Sequence, residues 1–301
     1  MDLLNTFLIG ITSGAIYALM ALSIVLVWRS TRVVNFAQAG MALLSTYFGY
    51  EAFLRLGSFW IALPVAMISG ALFAALVEMI LIRLLVKHST SGPIARVAPI
   101  IATLGLLGVI RATASMIWGG QDVRIESPIS NIGFTIENDT LVFSPLKLFV
   151  LITVIVFMLI LAVLFQKTNI GLALRAAAYA PEIARLSGIK VDWVRTLGWA
   201  LAGAVGAVAG IFQTINGNGS FSPYSIDFSL LFLCGFIAAV IGGLESMVGA
   251  VFGGLVLGLS LSFILMYVSS ALFFVAPFVI LLIVLIVKPQ GLLSTKGGRR
   301  A

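Results

Sequence analysis

Long apolar stretches separated by short polar turns run through almost the whole chain. A helix that crosses a bilayer needs about 20 apolar residues at a rise of about 1.5 Å per residue. About nine stretches approach that length and predict membrane helices: 4–27, 36–53, 59–85, 97–118, 145–165, 196–215, 228–243, 247–268 and 271–287. The stretches 36–53 and 228–243 are short and begin beside polar residues, so a broken or re-entrant segment is an open interpretation of each.

The composition supports a membrane protein. The chain has 301 residues, of which 61% are hydrophobic and 10% charged, whereas soluble domains carry about 25% charged residues. A chain this apolar needs lipid around much of its surface. We therefore predict an all-α polytopic membrane protein with about nine (8–10) transmembrane helices, in a single transmembrane domain over residues 1–301.

Basic residues predict the orientation, because Lys and Arg collect on cytoplasmic loops. The polar loop 167–195 and the tail after Lys288 are both basic. If both lie inside, the residues left on the outer half are Arg55, Arg111, Arg124 and Lys147. This bias predicts the N-terminus out and the C-terminus in. It also accounts for the net charge of +7 without a nucleic-acid partner.

The largest outer segment, residues 119–144, is acidic. Its carboxylates are Asp122, Glu126, Glu137 and Asp139. Weak alternation in VRIESP and GFTIEN predicts a small hairpin formed by these two pieces.

No residue pattern points to catalysis or to a cofactor. No Ser/His/Asp set or carboxylate pair stands at catalytic spacing. Cys234 is the one cysteine and His88 the one histidine, which is too few for a metal site. The chain also lacks a glycine-rich loop that would bind ATP phosphates. We predict no catalytic residue and no metal, with energy supplied by another polypeptide or by an ion gradient.

The basic loop contains signals for a short amphipathic helix over 181–187. Pro181 suits a first helical position, and Glu182 follows it at the positive end of the helix. Glu182 and Arg185 are three residues apart and can pair. Gly188 is suited to a left-handed cap. Such a helix can dock onto a partner, or it can be a solvated connector or lie on lipid. The residues alone leave these readings open.

Two charges, Glu78 and Arg111, lie well inside predicted helices. Charges in a membrane are costly and are functional candidates by default. Glu78 can pair with Arg83 near the interface, or with Arg111 if the register of the helices shifts. A role on a transport pathway is the alternative to structural pairing.

Polar residues at the ends of short segments are a second group of candidates, because transporter pathways commonly lie there. Asn35 and Gln38 open the second stretch, and Asn216 and Asn218 lie in an outer turn. The structural alternatives are a helix cap for Asn35 and turn chemistry for the two Asn-Gly pairs.

Glycines spaced four apart predict close helix packing, concentrated in residues 198–258. The pairs are Gly10/Gly14, Gly206/Gly210, Gly249/Gly253 and Gly254/Gly258.

Longer strings in the chain resemble the LivH-like permeases of ABC importers for branched-chain amino acids. The strings are ALRAAAYAPEIARLSGI at 173–189 with VDWVRTLGWALAGAVGAVAGIF at 191–212, the opening segment at 10–45, GGLESMVGAVFGGLVLG at 242–258 and VKPQGLL at 287–293. Their order and spacing cover nearly the whole chain. Two positions depart from the family pattern, Ala180 and Ile183.

This resemblance implies a permease domain in the bacterial inner (cytoplasmic) membrane. It implies a second permease subunit (the same or a related chain), two ATPase subunits that bind the ATP, and a periplasmic substrate-binding protein. The loop 167–195 would hold a cytoplasmic coupling helix that docks on the ATPase. The coupling residues would be Arg175, Pro181, Glu182, Ala184, Arg185 and Gly188. A permease for urea, amides or other amino acids stays open, and so does a stand-alone secondary transporter.

Overall fold

The protein is a bundle of helices joined by short turns. The computed structural model describes residues 2–88, 93–133, 135–136, 139–140, 143–288 and 291–293. These residues form α1 (Asp2–Thr31), α2 (Gln38–Leu56), α3 (Phe59–Leu76), α4 (Arg83–His88), α5 (Pro93–Trp118), α6 (Pro145–Lys167), α7 (Asn169–Tyr179), α8 (Pro181–Leu186), α9 (Val191–Asn216), α10 (Ile226–Gly242), α11 (Met247–Tyr267) and α12 (Ala276–Val287). A π-helix, Val77–Ile82, joins α3 to α4, and a 3₁₀ helix, Ser270–Phe274, precedes α12.

Each of the predicted apolar stretches corresponds to a helix. Six helical segments in the described residues are long and apolar enough to cross a membrane: Leu3–Thr31, Phe59–Leu85, Val97–Trp118, Pro145–Lys167, Val191–Asn216 and Met247–Tyr267. The apolar helices α10 and α12 are shorter, with 17 and 12 residues. The remaining stretch is α2, which has 19 residues and carries Glu51 and Arg55 near its end. The structure confirms an all-α protein with several membrane-spanning helices.

Glycines let the inner helices approach each other closely, as their spacing predicts. A Cβ added to Gly14 of α1 would lie 2.9 Å from the carbonyl oxygen of Gly254 in α11. A Cβ added to Gly70 of α3 would lie 2.7 Å from the carbonyl oxygen of Gly203 in α9. Backbone approach of this kind increases the dispersion contacts that hold helices together in lipid. Further glycines in such close contacts are Gly242, Gly249, Gly253 and Gly258.

The loops that the charge bias predicts to be cytoplasmic meet at one end of the bundle. Arg32, after α1, pairs with Glu245 in the turn between α10 and α11. Arg83 of α4 donates to the carbonyl oxygen of Asp192 in α9, with 3.0 Å between the atoms. The indole N–H of Trp199 in α9 donates to the hydroxyl of Thr31, the last residue of α1. This bond places the two contacts at the same end of the bundle. We call this end, which also carries α7 and α8, the basic end, and the opposite one the far end.

The prediction that VRIESP and GFTIEN pair in a hairpin at the far end is wrong. Strand β1 (Val123–Arg124) pairs antiparallel with β4 (Ser220–Phe221), in the turn after α9. Strands β2 (Thr135–Ile136) and β3 (Asp139–Thr140) pair with each other. Alternation over a few residues identifies a strand face but not the partner edge, which here comes from a distant part of the chain. Residues 134, 137 and 138 of the predicted hairpin lie outside the described residues.

Candidate functional site

The loop between α6 and α9 begins with α7, which is fixed to the bundle. The hydroxyl of Thr168 accepts the backbone N–H of Gly171, with 3.1 Å between the atoms, and so caps α7. Leu174 and Ala177 are buried, and α7 packs against α6, α9 and α1. The short helix α8 therefore follows an anchored element.

Helix α8 begins and ends as the sequence predicts. Pro181 stands in its first turn, where the missing N–H leaves no helical hydrogen bond unmade. Gly188 has a φ of +83°, a conformation that glycine adopts without steric cost. The N–H of Ile189 donates to the carbonyl oxygen of Ala184 at 3.0 Å, which closes the helix as in a Schellman motif. The helix ends at Leu186, slightly earlier than predicted.

One side of α8 packs on the protein while its other side is exposed. Ala184 is 4% exposed, whereas Tyr179, Ile183 and Leu186 are 93%, 66% and 89% exposed. The Glu182 side chain is also exposed. Large apolar side chains grouped beside charges at a protein surface are typical of docking sites for another protein. Tyr179 is the last residue of α7, directly before this helix. We call Tyr179 together with Glu182, Ile183 and Leu186 of α8 the α8 surface.

Arg185 links α8 to the first turn of α9. Its guanidinium lies 3.3 Å from the Glu182 carboxylate and 3.5 Å from the Asp192 carboxylate. The predicted pairing of Glu182 with Arg185 is confirmed, whereas the contact with Asp192 was not predicted. Both pairs are partly exposed, so each contributes about 0–1 kcal/mol. Their effect is mainly to orient α8 relative to α9.

Glu78 lies in the π-helix and is 2% exposed. Its carboxylate accepts hydrogen bonds from Arg83 at 2.7 Å and from the Thr196 hydroxyl at 2.6 Å. Of the two partners considered from the sequence, Arg83 is therefore the one observed. Arg111 instead donates to the Ser229 hydroxyl of α10. A π-helical turn is uncommon and is found frequently at functional sites.

These contacts connect the short helix α8 with a membrane-spanning helix. Arg185 forms an ion pair with the Asp192 side chain. Arg83 donates a hydrogen bond to the Asp192 carbonyl oxygen and forms an ion pair with Glu78. A cavity of about 470 Å³ lies among these four residues. We call Glu78, Arg83, Arg185, Asp192 and Thr196 the polar junction. Displacing α8 would strain this junction, because the buried carboxylate needs its partners.

Asn35 and Gln38 are buried where α2 begins. The Asn35 side-chain oxygen accepts the N–H of Ala37, and its nitrogen donates to Gln38, each at 3.0 Å. The Gln38 amide donates to the Ser23 hydroxyl and to the Ala202 carbonyl oxygen. Ser23 is eight residues before the end of α1, so α2 starts about 12 Å inside the bundle.

This geometry fits a structural role of Asn35 and Gln38 as well as a pathway role. The bond from Ala37 to Asn35 is a local turn contact in the chain before α2, whereas α2 itself begins after Ala37 without a side-chain cap. A helix that starts inside the bundle is also the usual setting of a transporter site. A substrate at this point would have to replace hydrogen bonds that the chain now makes with itself.

Asn216 and Asn218 lie at the far end. The side-chain oxygen of Asn218 accepts the N–H of Ser220 at 3.0 Å, which is turn chemistry. The side-chain oxygen of Asn216 is buried without a partner in the described part of the chain. Asn218 borders two cavities of about 200 and 220 Å³. Asn216 is fourteen residues beyond Ala202 on α9, or about 21 Å. The four predicted pathway residues therefore form two separate groups.

Arg175 stands apart from the other predicted coupling residues. It lies on α7 and borders a cavity with Arg29 and Glu245, whereas Arg185 borders the cavity of the polar junction. Asp192 and Thr196 complete that junction and were missed from the sequence. A usable signal for Asp192 is its position in the first turn of α9, directly after the glycine-capped helix.

Comparison with known proteins identifies the family. Residues 6–287 match the family described as branched-chain amino acid transport system, permease component. The chain is 33% identical to a probable branched-chain amino acid transport permease protein LivH of Methanocaldococcus jannaschii, over 84% of this chain and 78% of that protein. It is 27% identical to the LivH permease protein of Salmonella typhimurium, over 95% and 93%. It is 24% identical to the BraD permease protein of Pseudomonas aeruginosa, over 95% and 94%.

No solved structure gives a comparable match. The family match nevertheless covers almost the whole bundle, including α8 and the polar junction. The chain therefore belongs to the family of permease components of branched-chain amino acid transport systems.

Proposed function

We propose that this permease carries branched-chain or other aliphatic amino acids across the bacterial inner membrane, as a subunit of an ABC importer. The chain is a transport permease and not an enzyme, and ATP hydrolysis belongs to a separate ATPase. The names of its relatives support the choice of substrate. Urea, amides or other amino acids are the alternative cargo. The complex would contain a second permease, two ATPases and a periplasmic binding protein.

In this proposal the basic end faces the cytoplasm and the N-terminus faces outward. The nine spans would be α1, α2, α3, α5, α6, α9, α10, α11 and α12. Their alternating directions bring the turns that carry Arg32, Arg83 and Glu245 to one end, and the concentration of basic residues there supports its cytoplasmic location. The far end, with residues 119–144, would receive the binding protein.

The observation that carries the coupling proposal is the α8 surface. Two large apolar side chains, Ile183 and Leu186, are exposed on a helix whose opposite side is anchored by Ala184 and Arg185. Tyr179 is exposed beside them, at the end of α7. A groove on the ATPase would cover these side chains and hold Glu182. Among the proposed coupling residues of this loop, Glu182 would then contact the ATPase and Arg185 would hold α8 to α9. Pro181, Ala184 and Gly188 would shape the helix.

Movement would pass from α8 to the membrane through the polar junction. When ATP closes the ATPase dimer, α8 shifts and pulls on Asp192 and Arg83, and hence on the span that holds Glu78. The spans then alternate between outward and inward openings. Asn35 and Gln38 near the middle of the bundle, and Asn216 and Asn218 at the far end, are our proposed pathway residues.

Reversing one charge on α8 tests this role. We expect Glu182→Lys to reduce both the ATPase captured with the permease and the ATP-dependent uptake of leucine, because the exposed carboxylate would become a repelling cation. Asp122→Lys is the matched control: it also reverses one exposed acidic charge, but at the far end, so ATPase capture should be unchanged. Full ATPase capture and full uptake with Glu182→Lys would refute docking through α8.

A further inference from the structure

A cavity of about 330 Å³ opens between α6 and α11 at the basic end, with α1 behind it. Within the membrane-spanning part its walls are apolar. They include Leu22 of α1, Met158 and Leu161 of α6, and Val248 and Val251 of α11. Val248 is 69% exposed although it lies on a membrane-spanning helix. The cavity therefore opens sideways, toward the position of lipid.

The mouth of this cavity is positively charged. Arg29, Arg175 and Glu245 border it, and Glu245 is already paired with Arg32. Neither Arg29 nor Arg175 forms an ion pair with a carboxylate within the described residues. The Arg29 guanidinium lies 5.5 Å from the centre of the Phe165 ring, which holds it at the mouth. Among the described residues, the one carboxylate at the mouth is thus shared with Arg32, and the mouth keeps a net positive charge.

Charge and apolar surface are separated along the cavity. Leu22 is seven residues before Arg29 on α1, and Met158 is eight residues before Gln166 on α6. At the rise of a helix these intervals are about 10 to 12 Å. A ligand that fits has a negative group at one end and about 10 Å of hydrocarbon behind it.

We propose that this cavity binds an anionic phospholipid of the membrane leaflet at the basic end. The phosphate lies between Arg29 and Arg175, and one acyl chain lies against Leu161 and Val251. Basic pockets between membrane helices bind anionic headgroups through such charges. A free phosphate would use the mouth but leave the apolar walls uncovered. The lipid instead pairs its phosphate with the two arginines and covers the apolar walls with an acyl chain.

Binding of the lipid also affects α8, a consequence that rests on the proposed coupling function. Arg29 belongs to α1 and Arg175 to α7, so two like charges face one mouth from different helices. A phosphate between them replaces repulsion with attraction and holds α7 to α1. Because α7 leads directly into α8, the lipid fixes the position of the α8 surface.

The test measures lipid binding by the assembled, delipidated transporter with native mass spectrometry. Phosphatidylglycerol and phosphatidylcholine are titrated in turn. We expect phosphatidylglycerol to bind more tightly. The preference should fall about fivefold for Arg29→Gln or Arg175→Gln and about 25-fold for the double variant, given the usual attraction of one basic residue to anionic lipid. Arg55→Gln, at the far end, should leave it unchanged.

Two further variants keep the test decisive if the glutamine variants fold poorly. Arg29→Lys with Arg175→Lys keeps both charges and should retain the preference. Met158→Trp fills the apolar end and should weaken both lipids.

Three results would overturn the proposal. One is an equal affinity for the two lipids. A second is competition by millimolar inorganic phosphate together with no effect of Met158→Trp, which would indicate a phosphate site. The third is lipid binding by the isolated chain but not by the assembled transporter, which would mean that a partner subunit covers the cavity. Full ATPase capture and full uptake with Glu182→Lys, together with an intact lipid preference, would count against α8 docking alone.

Discussion

Helices α1 and α9 differ from α5 in how they use small residues. In the most apolar stretch of α1 and of α9, 78% of the residues are buried, against 17% in α5. Gly203 of α9 meets the backbone of Gly70 so closely that no side chain would fit. Gly105 and Gly108 of α5 would meet nothing within 4 Å if a Cβ were added. Glycine thus has a packing role in one region and no visible neighbour in the other.

The difference shows that glycine spacing indicates which helix faces can pack, not which faces do. On α11 the glycines contact α1 and α10. On α5 they stand on the surface of the described chain. Substitutions of the same size should therefore have very different effects in the two regions, and the tests below begin with the largest.

The largest effect is expected for Gly203→Ala. The new methyl group would collide with the backbone of Gly70, and overpacking against backbone costs about 3 kcal/mol. Thermal unfolding of the purified permease in detergent measures the loss. Gly108→Ala is the matched control, since its methyl group enters open space and should change the free energy of unfolding by less than about 1 kcal/mol. Equal losses for both variants would contradict the comparison.

A smaller loss is expected when the buried carboxylate of the polar junction loses its cation. Arg83→Gln leaves Glu78 with Thr196 as its remaining donor. Removing one member of a buried pair costs 3–5 kcal/mol in general; because the Arg83 side chain is 37% exposed, we expect about 2 kcal/mol. Adding Glu78→Gln should recover part of this in a double-mutant cycle.

The control for this pair is Arg55→Gln, which breaks an exposed pair with Glu51 on α2. It should cost less than about 0.5 kcal/mol. If Arg83→Gln is no more costly than Arg55→Gln, the junction contributes nothing beyond a surface ion pair.

The smallest change in the free energy of unfolding is expected at Gly188. A substitution there should nevertheless reduce ATPase capture selectively. Its φ is +83°, and that of Gly57 at the end of α2 is +64°. Neither has a neighbour within 4 Å, so alanine should cost about 1 kcal/mol at each through backbone strain. Only Gly188→Ala should also reduce ATPase capture, because it disturbs the end of α8. A matching loss of capture with Gly57→Ala would show that the effect is general destabilisation.

Much of the local structure could be predicted from the sequence. The apolar stretches became helices, Pro181 and Gly188 bound a short helix, and Glu182 pairs with Arg185. These features depend on residues a few positions apart, where helix geometry alone brings groups together. The pairing of Glu78 with Arg83 was one of two open choices, and helix proximity favoured the nearer partner.

Long-range contacts were harder to predict. β1 pairs with the turn after α9 because Ile125 donates to the carbonyl oxygen of Gly219 at 2.9 Å, and no local pattern reveals that edge. The sequence alone did not show how far apart the two groups of proposed pathway residues lie, and in the structure Asn35 and Asn216 lie at different depths. The basic residues Lys296, Arg299 and Arg300 of the tail, which belong to the orientation prediction, lie outside the described residues.

The sequence by itself determined the class, the family and the local shape of α8, because composition, order of motifs and caps are properties of neighbouring residues. The tertiary structure decided how deep α2 begins, which glycines meet and that Asp192 and Thr196 complete the polar junction. It also placed Arg29 and Arg175 at one cavity. Helix periodicity sets the face on which a residue lies, but only packing against other helices selects what that face contacts.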